Sequence, residues 1–160
     1  MSSQVLTQQD SSTLDAWVRL LRAHASLTRS LSAQLVAEHG LTINDYEALL
    51  HLSRTEGGQM KRVELAQQLI LTPSGVTRLL DGLEGAGWVT KGTCPSDARV
   101  TYAVLTEEGR EKLETASRSH IAQVRAVFDE RFSKSELETL AALLGRLPGG
   151  GSDDETCSPG

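Results

Sequence analysis

Much that would mark a specialised chemistry is scarce in this 160-residue chain. It has two cysteines, Cys94 and Cys157. That is too few for a disulfide framework, and their spacing suits no metal, so free thiols in a reducing cytoplasm are the plain expectation. No stretch approaches the roughly 20 apolar residues of a membrane-spanning helix, and no membrane partner is expected. Met1 to Gln9 lack the basic-then-apolar profile of a secretory signal. There is no Ser/His/Asp set, no carboxylate pair with a supporting site, no phosphate-cradling glycine loop and no ligand cluster. An enzyme is therefore not expected, and neither is a cofactor or a metal. A basic excess is also missing: the formal net charge is −5.

The distribution of charge is more informative than its total. Residues 1–59 carry four basic and six acidic groups, and residues 106–160 carry seven and eleven. Between them, Lys61, Arg62, Arg78, Lys91 and Arg99 face Glu64, Asp81, Glu84 and Asp97. Only this middle segment is not acidic, so any nucleic-acid contact belongs there. Non-specific DNA binding comes almost wholly from phosphate neutralisation. Five cations make a weak site, which doubling in a dimer would improve.

Helical periodicity dominates. Leu14, Trp17, Val18, Leu21, Ala25, Leu31 and Leu35 predict a helix from about Ser12 to His39, stopped by Gly40. It is long for a small domain, and a partner chain is an economical cover for its stripe. Thr42 with Asp45 resembles a capping box and opens a second helix, with Tyr46, Leu49 and Leu50 inward. Gln59 to Arg62 reads as a short extended connection. Val63 to Leu69 is a short helix, and Thr72-Pro73 opens another to about Gly85, with Thr as cap and Pro at the first helical position. The period then falls to two: Trp88 to Thr93 and Val100 to Leu105 make a two-stranded hairpin with a turn-rich tip. Thr106 starts a long helix with Glu107 and Glu108 in its first turn. Ser133 and Glu136 form a capping box for a last helix bearing Leu137, Leu140, Leu144 and Leu147, which Pro148 ends.

The segment from Val63 to Gly87 has the makings of a helix-turn-helix. Ala66 is small where a second helix would cross, and Leu65, Leu69, Val76 and Leu79 are anchors. The second helix must present short polar and basic groups from its first turns, because that part faces base edges. Thr72, Ser74, Gly75, Thr77 and Arg78 meet this need. Arg78 suits a bidentate guanine contact or a phosphate, and the helix N-terminus suits a phosphate. An ordinary helical hairpin in a core shares the apolar pattern. The hairpin that follows, with an arginine at its tip, makes the DNA reading more specific.

Leu65-Ala66, Ser74-x-x-Thr77-Arg78, Leu83-x-x-x-Gly87-Trp88-Val89, Asp97-x-Arg99 and Leu105-Thr106-x-x-Gly109 together resemble the MarR family of bacterial winged-helix regulators, over about residues 12–147. The resemblance implies a mainly α fold with a small β-hairpin, a winged helix-turn-helix with long N- and C-terminal dimerisation helices. It implies dimerisation helices at 12–40 and 106–147 and a DNA-binding domain at 41–105; from composition alone, the polar N-terminus at 1–11 reads as flexible and the acidic tail at 148–160 as disordered. The resemblance further implies a cytoplasmic homodimer on a palindromic double-stranded operator, repressing nearby genes and released by a small aromatic or phenolic ligand or an oxidant. Arg62, Lys91, Asp97 and Arg99 join the reading helix as DNA-binding candidates. The family often has a second arginine between the wing Asp and Arg; here that residue is Ala98. The reading helix is thus expected to set specificity, and the wing to add a smaller, salt-sensitive part.

The resemblance also implies an effector cleft between the reading domain and the dimer helices, with Trp17, His24, Tyr46 and His51 as candidates to line it, although the two aromatics are more simply core residues. Cys94, at the wing base, is a redox candidate; the inert thiol is the plainer reading. The alternative function is a winged-helix protein-interaction module without DNA binding, which the acidic total and Ala98 favour slightly.

Overall fold

The computed structural model describes residues 8–149. The chain divides after His120 into two compact units.

In the first unit, α1 (Gln8–His39) starts four residues earlier than expected. Of the expected N-terminal flexible segment, residues 1–7 lie outside the described residues. Gly40, at φ +68°, ends the helix and lets Leu41 N–H reach back to Leu35 O. The burial of α1 is uneven. Leu31 and Leu35 are buried, whereas Leu14, Trp17, Val18 and Leu21 are exposed. Trp17, at 56% exposed, is therefore not a core aromatic of this chain. The Thr42–Asp45 capping box is complete on α2 (Ile43–Arg54), which buries Tyr46, Ala48, Leu49 and Leu52.

The extended connection is a strand. β1 (Gln59–Lys61) pairs antiparallel with β3, setting Met60 opposite Ala103. The expected two-stranded hairpin is thus a three-stranded sheet of order β1-β3-β2, with β2 at Val89–Cys94 and β3 at Asp97–Leu105. Register runs regularly from Val89–Leu105 to Thr93–Thr101 and then breaks, so that Cys94 faces Asp97. That irregularity forms the wing tip.

Between β1 and β2 lie α3 (Arg62–Gln68) and α4 (Pro73–Gly85). Leu65, Leu69, Val76, Leu80 and Leu83 close over Leu41, Leu49 and Leu52, with Val89, Ala103, Leu113 and Ala116 completing one core. Leu79, read as a full anchor, only packs partly buried against it. After β3, α5 (Glu107–Asp129) begins at a dense junction. Thr106 N–H donates to Trp88 O, and its hydroxyl donates to Gly87 O and accepts from Gly109 N–H. A Cβ on Gly109 would run into the Trp88 carbonyl. The Leu105-Thr106-x-x-Gly109 string is therefore the device that fastens α5 to the end of α4 and the start of β2.

The second unit holds the end of α5 and α6 (Lys134–Leu144). Ser133 and Glu136 form the expected capping box, and the Ser133 backbone N–H, with help from its hydroxyl, holds the Glu136 carboxyl below its ordinary pKa. The helix stops at Leu144, short of the expected Leu147, on a Gly145 cap. No residue of α6 is buried. The expected disordered tail, from residue 150 on, and Cys157 with it, lie outside the described residues.

Candidate nucleic-acid interface

The reading helix is built from its cap outward. The Thr72 hydroxyl accepts from Gly75 N–H at 3.1 Å and lies 3.2 Å from the Ser74 hydroxyl. Pro73 occupies the first helical turn, where its missing N–H costs nothing. Gly75 has a local reason: a Cβ there would press on the capping hydroxyl at 3.1 Å. Thr77 spends its hydroxyl proton on Pro73 O at 2.9 Å, leaving oxygen lone pairs outward. Val76, Leu80 and Leu83 are buried, while Ser74, Thr77 and Arg78 are exposed on the other side. Pro73, Ser74, Thr77, Arg78 and Asp81 line a shallow open depression. Asp81 was not singled out in the sequence, although its position one turn beyond Thr77 and Arg78 places it on their face. Among the described residues no ion pair includes Arg78.

The turn into this helix carries a feature with no sequence signal. Ile70 adopts φ +52° and is 90% exposed. A β-branched residue is rarely found in that left-handed region.

Three other cations of this segment are held close to acids. Lys61 is 3.8 Å from Glu64, Lys91 is 3.4 Å from Glu84, and Arg99 is 3.7 Å from Asp97. Asp97 also accepts the Arg99 backbone N–H at 3.0 Å, so one carboxylate shapes the wing tip and faces its guanidinium. Arg62, at the start of α3, is half-buried, and its Nη2 has no hydrogen-bond partner among the described residues. At the other end of the tip, Cys94 Sγ lies 3.1 Å from the Ser96 hydroxyl. That hydroxyl, then the backbone N–H groups of Ser96 and Asp97, hold the thiol below its ordinary pKa.

The four effector-cleft candidates are not one cluster by position. Trp17 and His24, seven apart, share an exposed face of α1. Tyr46 is buried and His51 half-buried, on different sides of α2. Tyr46 has other company: its hydroxyl meets Ser117 at 3.1 Å and its ring lies 4.7 Å from that of His120. Nearby in sequence, Ser119 meets His39 Nε2 at 2.6 Å. These contacts tie α5 to α1 and α2. Nothing local to Ser117, Ser119 or His120 in the sequence announces a partner about 70 residues away. No group of three or more His, Cys, Asp or Glu that could hold a metal occurs among the described residues.

Comparison with known proteins agrees with this architecture. Residues 39–100 match the model of the MarR family. The HTH-type transcriptional regulator YkoM of Bacillus subtilis is 31% identical over 130 residues, covering 79% of this chain and 82% of that one. AbsC, a MarR family transcriptional regulator from Streptomyces coelicolor, superposes with a TM-score of 0.77 at 33% identity, covering 89% of this chain and 93% of its own. Sco3205, a MarR family regulator from the same organism solved in complex with DNA, superposes with a TM-score of 0.78 at 27% identity, over 89% and 87% of the two chains. With its reading helix, its wing and the Thr106–Gly109 junction in this order, the chain belongs to the MarR family of winged-helix transcriptional regulators, which are not enzymes.

Proposed function

We propose that the protein binds double-stranded DNA sequence-specifically as a cytoplasmic homodimer on a palindromic operator and represses nearby genes. One observation carries the reading: α4 buries Val76, Leu80 and Leu83 and presents Ser74, Thr77 and Arg78, all exposed, on a preformed outer face. A helix held this way enters the major groove without reorganising. Arg78 takes the role of base reader, Thr72, Ser74, Gly75 and Thr77 approach the groove and its phosphates, Arg62 faces the backbone, and Asp97 orients Arg99 toward the minor groove. The DNA complex of Sco3205 supports the same use of this fold. An operator-bound dimer represses by occupying the promoter.

Dimerisation is supported by two apolar faces that the chain itself leaves open. One is Leu14, Trp17, Val18 and Leu21 on α1; the other, in the second unit, is Leu143, Leu144 and Leu147. These side chains are about half exposed, so covering what remains of each contributes on the order of 1 kcal/mol. Sedimentation should give a dimer at micromolar concentration. Gel-shift titration on a palindrome from the adjacent promoter region should give binding that weakens with salt and half-sites about one helical turn apart. Absence of binding at low salt would defeat the proposal. Release by a small aromatic or phenolic ligand is the regulatory part of it; thermal-shift screening of phenolic acids checks that part, Trp17, His24, Tyr46 and His51 being the positions to vary.

A further inference from the structure

The cations of the reading segment are neutralised in unequal ways. Lys61–Glu64 and Arg99–Asp97 are neighbours in sequence, and the acids are about half exposed, with side chains 54% and 49% accessible. Such pairs are solvated and readily released. Lys91–Glu84 differs. It joins the last turn of α4 to β2, its 3.4 Å separation is the shortest of the three, and the Glu84 side chain is only 21% accessible. A carboxylate drawn in this far is less screened and attracts its partner more strongly. Glu84 also lies at the C-terminal end of a helix, where the dipole disfavours an anion, so its local field favours keeping a cation at hand. Gly87, at φ +78°, reverses the chain so that Lys91 is brought back against the helix it has just left.

We propose that Glu84 withholds Lys91 from the DNA backbone and thereby suppresses sequence-independent binding. This inference rests on the DNA-binding reading above. Phosphate neutralisation supplies essentially all non-specific affinity. A wing-strand lysine engaged by α4 adds little to it, and discrimination is left to the outer face of α4. Glu84 is then a specificity-determining residue that need not touch DNA.

The test is a double-mutant cycle on the full chain, with a promoter palindrome and a random duplex titrated across a salt series. Glu84→Gln keeps the side-chain shape, and thermal unfolding checks that each variant is folded. In the otherwise unaltered protein, Glu84→Gln should tighten random-duplex binding and steepen the slope of log K against log salt by about 0.9 per protomer. The preference for the palindrome over the random duplex should fall. In a Lys91→Gln background the same change should do nothing. Equal gains in both backgrounds would show a general charge effect and overturn the proposal, as would no gain in either. A loss of binding would assign Glu84 to positioning Lys91 on a phosphate, the opposite role. If the unaltered protein binds no duplex at low salt, the DNA reading fails and this inference with it.

Discussion

The reading helix and the wing tip belong to one unit and are adjacent in sequence, yet they are stabilised in opposite ways. α4 has a hydroxyl cap, a proline in its first turn and three side chains in the core. The wing tip has Asp97, Ala98 and Arg99 all exposed, with the Arg99 side chain 96% accessible, and is shaped by one carboxylate and a register break. A rigid element transmits geometry, so it can discriminate between bases. An exposed arginine on a short tip contributes charge, which does not depend on sequence. Under the proposed function, the difference assigns specificity to α4 and sequence-independent affinity to the wing.

The largest expected effect comes from removing what both elements share. Gly109→Ala places a methyl against the Trp88 carbonyl, where the exit from α4, the start of β2 and the cap of α5 meet. The obstacle is backbone, so relief requires the junction to shift. The cost should be about 3 kcal/mol, the upper part of the usual range for overpacking. Denaturant unfolding measures it, and operator and random-duplex binding should fall together. A loss confined to one of them would show that the two elements are anchored independently.

Next in size is the direct comparison of the two arginines. Arg78→Ala should cost about 1–3 kcal/mol on the operator and much less on random DNA, as expected for a bidentate base contact. Arg99→Ala should weaken both duplexes alike by less than about 1 kcal/mol, with the salt slope reduced by about 0.9 per protomer. Gel shifts at several salt concentrations resolve both. If Arg99→Ala proved the more selective change, the division of labour drawn from rigidity and exposure would be reversed.

Acid pH acts on the scaffold beneath both elements. His120 is 9% exposed, its Nδ1 has no hydrogen-bond partner among the described residues, and burial pushes its pKa below the ordinary 6.5. The folded state thus resists a proton that the unfolded chain accepts at about 6.5. The stabilisation is present in full above that pH and declines as pH falls below it, until the folded-state pKa is passed. Glu136, whose pKa is lowered from 4.5, makes its own loss only further down. Thermal unfolding between pH 7 and 5 should show a decline that His120→Leu removes. Specific and random binding should lose ground equally, since the Tyr46–His120 contact lies on neither element.

What the sequence made legible follows from how local each signal is. The cap, proline and inward leucines of α4 lie within one segment, and the helix has the expected bounds. The family strings located the wing and the Thr106–Gly109 junction, although the physical reason for Gly109 appears only when Trp88 O is beside it. β1 was read as a connection because three residues make no period; its strand character comes from β3, some 40 residues on. The Lys91–Glu84 pair depends on a chain reversal and placed a DNA-contact candidate against an acid of the reading helix. The stripe of α1 was visible, but which part of it this chain covers was not: Leu31 and Leu35 are inside, and Trp17 is outside.

The smallest expected effect tests the rigid half of the comparison at its weakest point. Ile70 turns the chain from α3 into α4 at φ +52°, exposed and without core contact to offset the strain. An L-residue in the left-handed region costs roughly 1–2 kcal/mol. Glycine removes that cost but adds freedom to the unfolded chain worth about 0.5–1 kcal/mol. Ile70→Gly should therefore leave the protein about 0.5–1 kcal/mol more stable, measured by chemical denaturation. Because the change precedes the Thr72 cap by two residues, it should alter operator affinity without touching the salt slope set by the wing. A stability gain with unchanged operator binding would show that α4 is positioned by its cap and core alone. Weaker operator binding in a more stable protein would show that the strained turn is part of how α4 is aimed.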